Sequence, residues 1–133
     1  MSSAHSNLIP VQGLAVQGIS KITNVFSNQV GPLPLTGVFQ STGGSFLIFV
    51  SGSMWASQQN TRMVMDIFLD TNKIGTAQEW TNPSGSHASL VPVLLTVPPQ
   101  IVGNHVVELR VASTNTNSDF NDFYNVTVIE LKP

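Results

Sequence analysis

Cysteine is absent from this 133-residue chain, which excludes disulfides, thiolate metal sites and cysteine nucleophiles. Charge is nearly as scarce. Five Lys/Arg and seven Asp/Glu make only 9% of the residues, against about 25% in an average soluble domain. The net charge of −2 offers no basic field for phosphates, so nucleic acid is excluded as a partner. No apolar run approaches the roughly 18 residues of a membrane helix, and no membrane partner is expected. Residues 1–20 lack a basic start, and Pro10, Gln12, Gly13, Gln17 and Gly18 interrupt their apolar residues. No targeting segment is expected there. Helix signals are missing too, because ten glycines and eight prolines break the windows in which a 3.6-residue period could run.

Strand signals fill the space that remains. Hydrophobic residues make 41% of the chain, enough to argue against disorder, and a chain of this size can bury roughly 68% of its unfolded surface. Phe46–Val50 is one continuous apolar run, the pattern of a strand covered on both faces. Arg62–Asp70 alternates: Met63, Met65, Ile67 and Leu69 share one face, Val64, Asp66, Phe68 and Asp70 the other. Arg62 and Asp66 share that second face, which predicts an ion pair. Asp70-Thr71-Asn72-Lys73 reads as a tight turn into Ile74–Trp80, a predicted hairpin.

Asn82–Ser86 reads as a loop, His87–Val97 as an extended run closed by Pro98-Pro99, and His105–Ala112 as a further strand. Ser113–Asp122 is a polar connection before a last strand over Phe123–Leu131. With weaker segments near Ile22–Phe26 and Leu35–Gln40, about eight strands are predicted at sandwich spacing. The fold class is therefore all-β, an antiparallel jelly-roll β-sandwich spanning 21–133. Residues 1–20 are a separate N-terminal arm or edge strand, in which Val11–Ala15 is echoed by Val16–Ser20.

Four stretches carry a resemblance: FLIFVSGSMW at 46–55, MDIFLDTNKIGTA at 65–77, TNPSGSHASLVPVLLTV at 81–97 and DFNDFYNVTVIEL at 119–131. They resemble small bacterial and bacteriophage domains similar to the globular heads of the tumour necrosis factor and complement-type superfamily. The resemblance implies a ten-stranded jelly roll that forms compact trimers and binds other molecules without catalysis. It implies no ligand residue, because ligand sites in that superfamily lie in variable loops. No collagen-like stalk is present, so the resemblance points to a free-standing or virion-attached trimer. Apolar residues on both faces of 46–50 and 123–131 agree with subunit contact. They place Phe46, Ile48, Phe123, Tyr124, Val126 and Val128 at the expected trimer interface.

The candidate sites are few. His5, His87 and His105 show no zinc spacing, so the histidines are read as structural and no metal or cofactor is assigned. The loop of Asn115, Asn117, Ser118, Asp119 and Asp122 is rich in oxygen ligands, yet it lacks the EF-hand pattern. Turn chemistry is the preferred account, with calcium as the alternative. No constellation of nucleophile, base and stabiliser can be named, so no enzyme is expected. Trp55 and Trp80 suit stacking on sugars or half-buried sheet ends. With Asn117, Asp119 and Asp122 they form the expected ligand-binding set.

The leading expectation is a homotrimeric structural or adhesion module of a phage virion, as a capsid decoration or cement protein or a fibre head. Its expected partners are itself and a capsid protein or a surface glycan, and its expected location is the virion or the extracellular space. The alternative is a carbohydrate-binding lectin of bacterial origin.

Overall fold

A computed structural model describes residues 18–133. The expected arm at 1–20 lies outside them up to residue 17, while Ile19 and Ser20 already belong to the first strand. Ten strands follow: β1 (Ile19–Val30), β2 (Leu35–Ser41), β3 (Phe46–Ala56), β4 (Thr61–Leu69), β5 (Asn72–Thr81), β6 (Ala88–Ser89), β7 (Val93–Val97), β8 (Gly103–Val111), β9 (Thr116–Asn117) and β10 (Phe123–Leu131). No helix occurs among the described residues.

The strands form two antiparallel sheets. The first runs β1-β10-β3, with β6 and β7 on the far edge of β3 and β9 pairing with its end, at Trp55 and Ala56, on the β10 side. The second runs β2-β8-β4-β5. The chain changes sheet at every connection except β4–β5, β6–β7 and β9–β10, a jelly-roll path. The β4–β5 hairpin has the predicted two-residue turn. Leu69 pairs with Asn72, and Asp70 and Thr71 both take positive φ, as such a turn requires. The predicted run 87–97 is split into β6 and β7, because Pro92 cannot donate to the ladder between them.

Strand parity decides what is core. On β3, Phe46, Ile48, Val50 and Met54 point between the sheets, and on β10 Tyr124, Val126 and Val128 do the same. They meet Met63, Met65, Ile67, Val107 and Leu109 of the second sheet. This corrects the expected trimer seam. Phe46, Ile48, Tyr124, Val126 and Val128 are at most 2% exposed within a single chain, so they cannot face a partner. Of the expected set only Phe123 points outward, because successive strand residues alternate faces.

Glu130 and His105 are buried titratable groups of the two sheets. The Glu130 carboxylate accepts from Ser41 Oγ (2.6 Å), from the Gly44 backbone N–H (2.9 Å) and from that of Thr42, which closes the β2–β3 turn. Burial pushes its pKa up, but these donors outweigh burial and hold it below the ordinary carboxylate value. His105 on β8 gives Nδ1–H to Asp70 and Nε2–H to the Ile101 carbonyl. Both partners are acceptors, which favours the doubly protonated ring and raises the His105 pKa above its ordinary value despite burial.

Candidate functional site

The outer face of the first sheet is built by the residues that the core did not take. Along β3 these are Leu47, Phe49, Ser51, Ser53 and Trp55, and along β10 they are Phe123, Asn125 and Thr127. Asn125 lies opposite Ser51 and Thr127 opposite Phe49. On the other side of β3 lie Ser89 at the end of β6 and Leu90 and Pro92 of the β6–β7 link. A groove of about 330 Å³ runs between Phe123, Asn125, Ser51, Ser53 and this link. A second hollow of about 160 Å³ continues it past Ser51, Asn125 and Pro92 to Phe49 and Thr127. Phe49 and Phe123 are each about half exposed, at 47% and 48%.

The polar groups of this groove are held in place. Asn125 Oδ1 accepts the backbone N–H of Asn28 (2.8 Å). Thr127 Oγ1 donates to Asn24 Oδ1 (2.8 Å). Ser53 Oγ donates to Asp122 Oδ1 (2.7 Å), and the Ser53 carbonyl accepts from the Tyr124 hydroxyl (2.7 Å). Burial drives the Tyr124 hydroxyl well above its ordinary pKa, so it remains a donor. Gly52 is required beneath the groove, since a Cβ there would stand 2.4 Å from the Tyr124 ring.

At the β9 end the groove meets an acid–histidine cluster. Asp122 is fully buried, and its carboxylate accepts from Ser53 Oγ, from His87 Nδ1–H (2.7 Å) and from the Asp119 backbone N–H (2.9 Å). His87 Nε2 lies 3.7 Å from Asp119 Oδ2. The Asp122 hydrogen bond raises the His87 pKa above its usual value, against partial burial and with help from both carboxylate charges. His87, Asp119 and Asp122 are close enough to be considered as cation ligands. As arranged, however, the Asp122 oxygens are already engaged by protein donors, and the three groups hold one another. Ser53 Oγ and His87 Nδ1 both point at one carboxylate rather than at each other, so the cluster is not a nucleophile–base pair.

The expected ligand-binding residues are thus partly assembled. Trp55, Asn117, Asp119 and Asp122 gather at this end. Trp55 pairs across strands with Asn117, and its ring is 6.2 Å from that of His87. Trp55 Nε1 and Asn117 Nδ2 are buried without a protein partner. Trp80 is elsewhere, exposed on edge strand β5 of the second sheet with its Nε1 donating to Asn82 Oδ1. The predicted Arg62–Asp66 ion pair is replaced by Lys73–Asp66 at 3.1 Å. Sequence reasoning missed Phe49, Ser51, Ser53, His87, Asn125 and Thr127. The alternation of Phe123, Asn125 and Thr127 with apolar neighbours was the available signal.

No family model matches the chain, and no curated protein matches it. Solved structures do. A CBM36-1 domain of a multidomain xylanase from the hindgut metagenome of Trinervitermes trinervoides is 14% identical, with a TM-score of 0.49 over 81% of this chain and 96% of that one. A carbohydrate-binding module CBM36 in complex with calcium and xylotriose is 13% identical, with a TM-score of 0.39 over 85% of this chain and all of that one. A family 35 carbohydrate-binding module from an environmental isolate is 11% identical, with a TM-score of 0.33 over 87% of each chain. These likenesses place no ligand on this chain.

Proposed function

We propose that this chain is a non-catalytic carbohydrate-binding domain whose ligand lies in the groove on the outer face of the first sheet. The observation that carries the reading is the groove itself, in which two half-exposed aromatic rings flank hydroxyl and amide groups. A sugar presents C–H faces that pack on aromatic rings and a rim of hydroxyls that both donate and accept. Binding sites generally combine apolar walls with a few well-placed polar groups. A virion role would need another surface, since five of the six residues expected at a trimer seam are inside the core.

The test is a glycan array followed by calorimetry on the whole chain. Glycan binding is expected, and Phe49→Ala and Phe123→Ala are each expected to weaken it while the unfolding midpoint stays within error. Absence of binding to every glycan at high protein concentration would overturn the reading.

A further inference from the structure

The polar groups of the groove do more than tolerate a sugar, because their hydrogen-bond roles are already set. Asn125 Oδ1 is taken by a backbone N–H, which can only donate, so the amide Nδ2 is left as a fixed donor. Ser53 Oγ spends its hydrogen on the Asp122 carboxylate and Thr127 Oγ1 spends its own on Asn24. Both therefore offer lone pairs only. Along the groove the order is acceptor at Ser53, donor at Asn125, acceptor at Thr127.

The spacing of the rings sets the length of what can bind. Phe123 is four residues before Thr127, which pairs with Phe49 on the adjacent strand. At about 3.4 Å per residue and about 4.8 Å between strands, the two positions are roughly 14 Å apart. That is well beyond the width of one sugar ring. The two hollows share Ser51, Pro92 and Asn125, so the path between the rings is continuous. None of the residues lining either hollow is charged, and a charged ligand would be desolvated there without a counter-charge.

Resting on the carbohydrate reading, we infer that the groove takes a run of several units of an uncharged polysaccharide, packed at one end on Phe123 and at the other on Phe49. The donor at Asn125 reads a hydroxyl between them. A single sugar cannot reach both rings, so affinity depends on chain length.

The experiment is calorimetric titration of the whole chain with neutral linear oligosaccharides of increasing length, such as xylose-, glucose- and mannose-based series. A carboxymethylated polysaccharide serves as the charged counterpart. Affinity is expected to rise at least about tenfold from a single sugar to a chain spanning both rings and then to level off. Phe49→Ala or Phe123→Ala is expected to cost the long chain about tenfold and to flatten the length dependence. Asn125→Asp keeps the acceptor for Asn28 but replaces the donor, and a loss of about tenfold is expected with folding retained.

A single sugar binding as tightly as the long chain, or the charged polymer binding as tightly as the neutral one, overturns this inference and leaves the carbohydrate reading standing. Phe120 is exposed in the 113–122 loop, and glycan binding that survives both Phe variants but is lost in Phe120→Ala moves the site to that loop and also overturns the inference. Failure of every glycan overturns the reading and the inference together.

Discussion

The two outer faces of the sandwich are chemically opposite. The second sheet turns Arg62, Asp66, Lys73, Glu108 and Arg110 outward. These pair as Lys73–Asp66 and as Arg110–Glu108, and Arg110 also lies over the Phe68 ring. On the first sheet, β3, β6, β7 and β10 carry no outward charge, and the groove is lined by uncharged groups alone. In a chain with so few charges this segregation is informative. One face is kept solvated and poor at association, while the other is left open to an uncharged partner.

The largest effect that would test this contrast is in stability. Asp122 serves the groove end from a buried position, so Asp122→Ala strands Ser53 Oγ, His87 Nδ1–H and the Asp119 N–H. A loss of about 3 kcal/mol is expected in urea unfolding. Asp66→Ala on the charged face breaks a pair whose lysine is half exposed and should cost less than about 1 kcal/mol. Equal losses at the two sites would erase the distinction.

A charge transplant comes next. Ser51→Lys puts an ammonium in the groove and is expected to lower affinity for a neutral polysaccharide by about tenfold or more. Lys73→Ala should leave retention in affinity electrophoresis unchanged.

The buried His105 of the second sheet gives a smaller, pH-dependent effect. Burial lowers the His105 pKa, but the hydrogen bonds to Asp70 and the Ile101 carbonyl and the charges of Asp70 and Glu130 outweigh it, so the net shift is upward. A raised folded pKa means a stabilisation that is fully present below the unfolded value of about 6.5 and lost as pH rises through the folded one. Thermal midpoints should fall across that window, and Asp70→Asn should flatten the fall. A profile that is equally steep in Asp70→Asn would assign the dependence to another group.

The smallest effect is expected at Trp80. It stands on the second sheet with only its own local partner, so Trp80→Ala should leave glycan affinity intact. Stability should move by no more than about 0.5 kcal/mol.

Legibility varied with the local pattern. Arg62–Asp70 alternates with charges on one face, so its inward residues could be read directly, and Met63, Met65, Ile67 and Leu69 are indeed buried. Phe46–Val50 contains no polar residue to mark a face. Its two-sided hydrophobicity therefore suggested subunit contact, whereas Phe46, Ile48 and Val50 fill the core and Phe49 alone of the five is exposed. In Phe123–Leu131 the mark was present, since Asn125 and Thr127 share parity with Phe123 and so identify the outer face. Of the acid–histidine cluster, Asp119 and Asp122 stood out in their oxygen-rich loop, but nothing tied His87 to them. His87 and Asp122 are 35 residues apart, and neither sits in a metal-like or catalytic spacing.

Composition and alternation alone determined a charge-poor all-β sandwich without cysteine chemistry, because strand period, turn residues and charge scarcity are local properties. Which apolar face was core, which aromatic rings share a groove and which hydroxyls have their hydrogens already committed were decided only by tertiary structure. Each of those depends on a cross-strand neighbour, and the pairing of β3 with β10, β6 and β9 joins residues dozens of positions apart. No pattern within a single segment records that pairing.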